Sequence, residues 1–328
     1  MSQKKSISVT IPNYNGADLL KENLPLLYRA LQKHVDDYEV IIADDASTDG
    51  SVSFLKEYYP DIILAEHKRN QGFSKNINAA IHRATKELVL FLNTDVELTD
   101  DYFEPLFKYF EKPDTFGVMG KVIGNQDGET QDAAKYPTIG PTSIRANINY
   151  LPENETSTWL PTVFLSGGWA LVDRLKLTEL GGFDEIYSPY YGEDVDLSLK
   201  AWKIGYQCYF EPQAICKHPI STTIGKINRS FVKIIAKRNK MILHTIHLHG
   251  IYRMVYLIIL TLKVPFRLLA LDLNYVKAYG QFIKMFGAIS KSRRNNRNLR
   301  KAKNSHLNIL SVSKKIKQQL SEIPLEKF

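Results

Sequence analysis

Two apolar runs in the first third of the chain end in carboxylates. Glu39-Val40-Ile41-Ile42-Ala43 leads into Asp44-Asp45, and Leu88-Val89-Leu90-Phe91-Leu92 leads into Asn93-Thr94-Asp95. Acids grouped this way can accept hydrogen bonds from a base or ribose, or hold a divalent cation against phosphate. Asp and Asn also make turns and helix caps, which is the commoner use of a single such site. Two in neighbouring units favour a ligand site. A further pair, Glu193-Asp194, follows Tyr190-Tyr191-Gly192 and opens a helical period over Asp194–Ile204. Acids in a first helical turn complement the helix dipole, and a carboxylate there can also act as a general base.

The elements that carry these residues alternate. Strands are predicted over Ile7–Ile11, Glu39–Ala43, Ile62–Ala65, Leu88–Leu92 and Val163–Val172, with helices over Asp18–Lys33 and Ser74–Thr85. Pro12, Ser47-Thr48-Asp49-Gly50, Pro60 and Asn70-Gln71-Gly72 mark the junctions. Such alternation indicates an α/β fold with a mostly parallel sheet, in which ligands sit beyond the carboxyl ends of the strands. No Gly-x-Gly-x-x-Gly follows the first strand, where the chain reads Pro12-Asn13-Tyr14-Asn15-Gly16, and this excludes the usual dinucleotide-binding dehydrogenase pattern.

Charge divides the chain. Residues 217–328 hold 23 Lys and Arg against three acids, a net of +20, whereas residues 1–216 carry −12. From about Asn228 the pattern is helical and interleaves apolar residues with Lys and Arg. Val255–Leu262 is too short an apolar run to span a bilayer. Helices of this composition suit an anionic membrane surface, with packing on the preceding domain or on a second subunit as the alternative. The end from Ser292 leaves room for a flexible tail. A catalytic domain over 1–225 and a basic helical region over 226–328 follow as the expected division. Nucleic acid is not expected as a partner, because the basic region carries no recognisable nucleic-acid module. A homo-oligomer remains open.

The N-terminal lysines run straight into Ile7–Ile11 without a signal-peptide core, so a cytoplasmic protein, peripheral on the inner face of the cell membrane, is expected. Cys208 and Cys216 fit small buried thiols in a reducing compartment.

The motifs, taken in order, resemble glycosyltransferase family 2, whose members are inverting enzymes with the GT-A fold. They are Ile41–Ser51, Asn70-Gln71-Gly72-Phe73 with Asn76 and Asn78, Leu165–Val172, Leu180-Gly181-Gly182-Phe183-Asp184-Glu185, and Tyr191–Leu197. The likeness covers roughly residues 6–225 and is closest to the rhamnosyltransferase-like branch acting on bacterial surface polysaccharides. It implies a Rossmann-like GT-A catalytic domain that takes a nucleotide-sugar, dTDP-rhamnose or a UDP-hexose, and a divalent cation, Mg²⁺ or Mn²⁺. It also implies a glycan or lipid-linked oligosaccharide acceptor.

The resemblance further assigns roles. Asp44 matches the acceptor of a hydrogen bond from the pyrimidine ring, with Pro12, Tyr14 and Asn15 lining the same pocket. Gly72 belongs to the second nucleotide motif, and Arg69 beside it could pair with phosphate or lie free on the surface. Asn78 could meet the donor sugar or cap a helix. Asp95 matches the metal-binding carboxylate. The family's Asp-x-Asp is here Asn93-Thr94-Asp95, so Asn93 orients the ribose or a metal-bound water. His218 matches a position that completes the metal shell. Asp194 matches the general base, with Glu193 positioning it or the acceptor. Gly168 and Trp169 fall in the acceptor pocket, with core packing the competing account for Trp169. A non-catalytic scaffold is the alternative function, disfavoured because Asp95 and Asp194 are both present. His244, His247 and His249 fit contacts on a helix surface better than a metal site.

Overall fold

The computed structural model describes residues 5–124, 128–154, 158–218 and 228–328. The first third alternates as the pattern predicts: β1 (Ile7–Asn13), α1 (Ala17–His34), β2 (Tyr38–Asp44), α2 (Ser51–Tyr58), β3 (Ile63–Glu66), α3 (Phe73–Ile81) and β4 (Leu88–Phe91). Then come β5 (Glu97–Leu98), a 3₁₀ helix over Glu104–Glu111, β6 (Thr115–Ile123), β7 (Thr130–Asp132), β8 (Ala134–Gly140), β9 (Ser143–Pro152) and β10 (Leu160–Pro161). After them lie β11 (Ala170–Asp173), α4 (Arg174–Leu180), α5 (Glu193–Lys203) and β12 (Gln207–Lys217). The C-terminal part is α6 (Arg229–His247), α7 (Gly250–Leu269), α8 (Leu273–Lys284), α9 (Phe286–Ala302), α10 (Ile309–Gln319) and β13 (Leu325–Lys327).

The large sheet runs β10-β12-β6-β11-β4-β1-β2-β3, with β5 beside β12 and β7 beside β6. Strands β4, β1, β2 and β3 are parallel, and β11 inserts antiparallel between β4 and β6. Alternate residues of β2 enter opposite cores: Ile41 and Ala43 on one face, Val40 and Ile42 on the other. That double burial explains why the strands read as unbroken apolar runs. The register pairs Asn13 with Asp44, so the polar residues that end β1 and β2 emerge side by side.

Three expectations change. The run Val163–Val172 forms a strand only from Ala170, because Gly167-Gly168 breaks it and the preceding segment crosses the strand ends as a loop. The basic end is not a flexible tail: it forms α9 and α10, and β13 pairs with β9, which in turn pairs with β8. His244 and His247 are buried rather than on a helix surface, since α6 packs into the core on that side. The expected boundary at 225 lies outside the described residues. On its two sides, Leu197 and Trp202 of α5 share one apolar core with Ile234, Met241, Ile242 and Ile246 of α6.

Candidate active site

Loops at the carboxyl ends of β1, β2 and β4 form one wall. Asp44 is buried and accepts from Asn13 Nδ2 at 2.8 Å and from the Ser47 amide at 2.8 Å. Asn15 takes a left-handed conformation and its Oδ1 receives the Thr48 amide at 2.8 Å, which ties the β1 and β2 loops together. Pro12 is half-buried at the end of β1, whereas Tyr14 projects with 49% of its surface exposed. Asp45, buried beside Asp44, accepts the Gln71 and Gly72 amides at 2.7 and 2.9 Å and thereby fixes the second glycine turn. Gly72 has φ +84°, and a Cβ there would stand 2.8 Å from Pro189 Cα. Only glycine lets that turn lie against the loop that leads into Glu193. Arg69 is exposed and has no ion-pair partner among the described residues.

Asn78 neither caps a helix nor presents a free amide. Its Nδ2 donates to the Phe183 carbonyl at 2.8 Å and its Oδ1 receives the Phe183 amide at 3.0 Å, clamping the Gly181-Gly182-Phe183 turn. Thr94 gives its carbonyl to Asn23 Nδ2 at 2.8 Å. The Asn93 amide donates to the Gly168 carbonyl at 3.0 Å, and a Cβ on Gly168 would meet Asn93 Nδ2 at 2.7 Å. Gly168 is therefore required for close contact with Asn93. Trp169 packs between the two apolar cores, while its Nε1 is buried without a partner and its ring lies 6.3 Å from that of His218.

Asp95 and His218 meet. His218 Nε2 stands 3.4 Å from Asp95 Oδ2, and hydrogen bonding to that carboxylate raises the imidazole pKa against the opposing effect of burial. A carboxylate oxygen and an imidazole nitrogen, both partly accessible, form a donor pair that a divalent cation could use. The described residues hold no group of three or more His, Cys, Asp and Glu that could hold a metal ion.

Opposite lies the head of α5. Burial, then the neighbouring Asp194, raises the Glu193 carboxyl well above its ordinary range, and its buried Oε2 has no hydrogen-bond partner. Asp194 is half-buried and is likewise raised, by burial first and also by Asp132. Val195 donates its amide to Asp194 Oδ1 at 2.7 Å, orienting the carboxylate at the helix start. Two acids this close share their titration, so the pair retains a proton that either acid alone would lose.

Residues outside the sequence reading complete the site. Asp132, at the end of β7, lies within electrostatic reach of both Asp194 and His218 and pairs with Lys135 at 2.5 Å. It joins the two halves, and no motif around it signals this. From α6, Asn239 Nδ2 donates to the carbonyls of Tyr187, Tyr190 and Tyr191 at 2.6, 2.8 and 2.9 Å. Arg238 reaches the Ser188 carbonyl at 2.5 Å. The C-terminal region thus holds the loop that presents Glu193-Asp194. A signal existed here: Arg238-Asn239 is a polar pair flanked by Ile234, Ile235, Met241 and Ile242 on a helix that buries them all.

The sequence profile described as Glycosyl transferase family 2 matches residues 8–181. The chain belongs to that family. The N-acetylglucosaminyl-diphospho-decaprenol L-rhamnosyltransferase of Mycobacterium tuberculosis is 26% identical over 246 residues, 67% of this chain and 78% of that one. GalNAc-T7, solved with UDP, GalNAc and Mn²⁺, superposes with a TM-score of 0.61 at 16% identity, over 77% of this chain and 50% of that one. TarS of S. aureus with UDP-GlcNAc gives 0.55 at 16% identity, over 95% and 92% of the two chains. These likenesses establish the GT-A fold for this family 2 glycosyltransferase, with its sheet, strand-end loops and C-terminal helices.

Proposed function

We propose that this glycosyltransferase moves a sugar from a nucleotide-diphosphate donor, dTDP-rhamnose or a UDP-hexose, to a hydroxyl of a lipid-linked glycan in surface polysaccharide synthesis, inverting the anomeric centre. The observation that carries the reading is the raised Glu193-Asp194 pair, Glu193 Oε2 unpartnered, with Asp132 in electrostatic reach of both Asp194 and His218. A carboxylate whose pKa has moved toward neutrality is a stronger base than an ordinary aspartate and still ionises at working pH. Asp194 takes the proton of the acceptor hydroxyl as its oxygen bonds to C1 of the donor sugar. The bond from C1 to the diphosphate breaks on the opposite side, and a single displacement inverts the centre. Glu193, behind it, keeps the pair's second charge out of the way by holding a proton.

Asp95 and His218 are the residues that would hold a divalent cation, Mg²⁺ or Mn²⁺. As two ligands they leave the ion's other positions to diphosphate oxygens and water. When bound, that ion supplies positive charge against the departing diphosphate. The Asp44, Asn15 and Tyr14 wall receives the nucleoside in this reading.

The acceptor class rests on the named substrate of the mycobacterial relative and on the surface of α7. Along that helix Ile251, Ile258, Leu262 and Phe266 are exposed on one side, followed by Leu269 and Leu271, with Lys263 and Arg267 among them. No helix among the described residues is long and apolar enough to cross a membrane. An exposed apolar stripe flanked by cations suits attachment to an anionic membrane on its cytoplasmic side. Replacing Ile258, Leu262 and Phe266 by Ser should release the protein from phosphatidylglycerol vesicles; unchanged sedimentation with vesicles would remove the membrane from the reading.

Calorimetric titration of dTDP and of UDP, with and without Mn²⁺, tests the donor site. Metal-dependent binding of one nucleotide is expected. Binding of neither by the folded protein would leave a non-catalytic scaffold.

A further inference from the structure

At the far end of α5, roughly 14 Å along the helix from Asp194, the molecule contains a second polar cavity. It has a volume of about 330 Å³ and opens where α5 meets α6, α7 and α9. Six cationic side chains line it, Lys203, Arg253, Arg293, Arg294, Arg297 and Arg300, and no carboxylate does. None of the six has an ion-pair partner among the described residues. Like charges do not collect in one cavity without a compensating term, because each raises the electrostatic cost of the next.

The cavity also contains unused donors. Nε of Arg253 and of Arg300 and Nδ2 of Asn296 are buried donors without a partner, and Nδ1 of His247 and of His249 are also unpaired. His247 and Asn296 are only 2% and 6% exposed, so water does not readily satisfy them. Arg293 differs from the rest: its Nη1 closes the end of α6 on the carbonyls of Thr245, Ile246 and Leu248 at 3.0, 3.0 and 2.7 Å. It builds the wall beside the other five cations. Burial first, then Arg300 and Arg293, holds Lys203 down to about 7 despite the pull of Asp196. Burial and then Arg253, Arg297 and Arg300 bring Arg293 down to about 10.

We propose that this cavity binds a phosphate-bearing anion with two or more negative charges, a diphosphate or a phosphomonoester, at a site separate from the sugar-transfer centre. Planar guanidinium forks match phosphate oxygens, and a volume near the lower end of the ~300–1,000 Å³ range for small-ligand sites suits a compact anion. His247 connects this site to the catalytic helix, because its Nε2 bonds Asp196 Oδ1 at 2.7 Å while Nδ1 lines the cavity. The phosphate can be soluble or the headgroup of a lipid. Arg253 lies on α7 between the exposed Ile251 and Met254, which gives a headgroup a route in. The assignment does not depend on the sugar-transfer reading.

The test is calorimetric and thermal-shift titration of the full chain with pyrophosphate in EDTA at low salt, where no metal can recruit the anion to Asp95. Saturable binding with a rise in Tm is expected, weakened at least tenfold in Arg253→Gln/Arg300→Gln. Arg297→Gln, at an exposed position, provides a milder variant if the pair fails to fold, and it should weaken binding severalfold. Vesicles of phosphatidylcholine with phosphatidic acid that displace pyrophosphate would identify a headgroup site; vesicles that fail to displace it would identify a soluble ligand. No pyrophosphate binding to the folded protein, or equal binding by the variants, would overturn the proposal.

Discussion

Glu193 and Asp194 differ from Asp196, two residues on in the same helical turn, in how the fold treats a negative charge. Asp196 is fully buried and paired with a cation: Lys200 Nζ lies 2.7 Å away, His247 Nε2 2.7 Å, and the Tyr187 hydroxyl donates at 3.1 Å. These partners outweigh the burial cost and hold its carboxyl well below the usual range. Glu193 and Asp194 meet the same helix dipole but no bonded cation, Lys135 acting on Asp194 only electrostatically, and burial pushes both up. Compensation makes an acid a structural charge, fixed in one protonation state. Its absence leaves an acid able to exchange a proton at working pH, which is the requirement for a base. The helix thus anchors itself through one acid and keeps two for chemistry.

The comparison breaks most visibly at Asp194. Asp194→Asn should lower the rate of transfer by about 10²–10⁴-fold, the usual contribution of a positioned base, with nucleotide affinity and stability close to the parent. Single-turnover kinetics alongside donor calorimetry checks this. If nucleotide affinity fell in step with the rate, Asp194 would belong to the donor pocket instead.

At Asp196 the loss should appear in folding. Asp196→Asn leaves Lys200 buried beside only the more distant Asp184, 3.7 Å away, and strands His247. Removing one partner of a buried ion pair costs about 3–5 kcal/mol. Urea unfolding at pH 7 measures it directly. The pH dependence follows from the sign of the shift. With a folded pKa below the unfolded value of about 3.9, Asp196 contributes its stability above that value and loses it as pH falls through the folded pKa. Parent and variant curves should therefore converge only in acid. A destabilisation no larger than that of Asp194→Asn would erase the distinction between the two acids.

The sequence showed the front of this site more clearly than its back. β1, β2 and β4 are apolar runs that end in acids, and such strands must be buried on both faces with their polar ends at one edge. That logic needs no partner from elsewhere, so Asp44, Asn93 and Asp95 were readable. Glu193, Asp194 and Asp196 look alike in Gly-Glu-Asp-Val-Asp, and what separates them comes from His247, 51 positions later, and from Lys200. No local spacing encodes a pairing at that distance. Asn78 was read as a donor-sugar contact or a helix cap and Gly168 as part of the acceptor pocket; within the protein their contacts are with Phe183 and Asn93, since an amide or a missing Cβ serves a turn as readily as a sugar. The +20 excess was assigned to a membrane surface or a packing partner, while five of its cations converge with Lys203 of α5 on a cavity. Charge counting along the chain reports how many cations there are, not which way the helices turn them.

Glu193 offers the smallest and most diagnostic effect. Its folded pKa is raised to about 8 from 4.5, so the native state binds this proton more tightly than the unfolded chain does. Stability from this group is complete below the unfolded pKa and is lost as pH rises toward 8. Glu193→Gln removes the titration while keeping the shape. The variant should match the parent near pH 4 and become more stable at alkaline pH, by on the order of 1–3 kcal/mol. This is the opposite slope from Asp196, whose contribution is lost only below about pH 4, so unfolding followed from acid to pH 9 separates the two. The parent's rate should also rise with pH as Asp194 ionises, and Glu193→Gln should keep that rise where it is, because Glu193 still holds its proton there and Gln is as neutral as the acid it replaces. A pH-independent stability difference would mean that Glu193 is ionised and solvated in the free enzyme, and the separation between anchored and exchangeable acids would reduce to Asp194 alone.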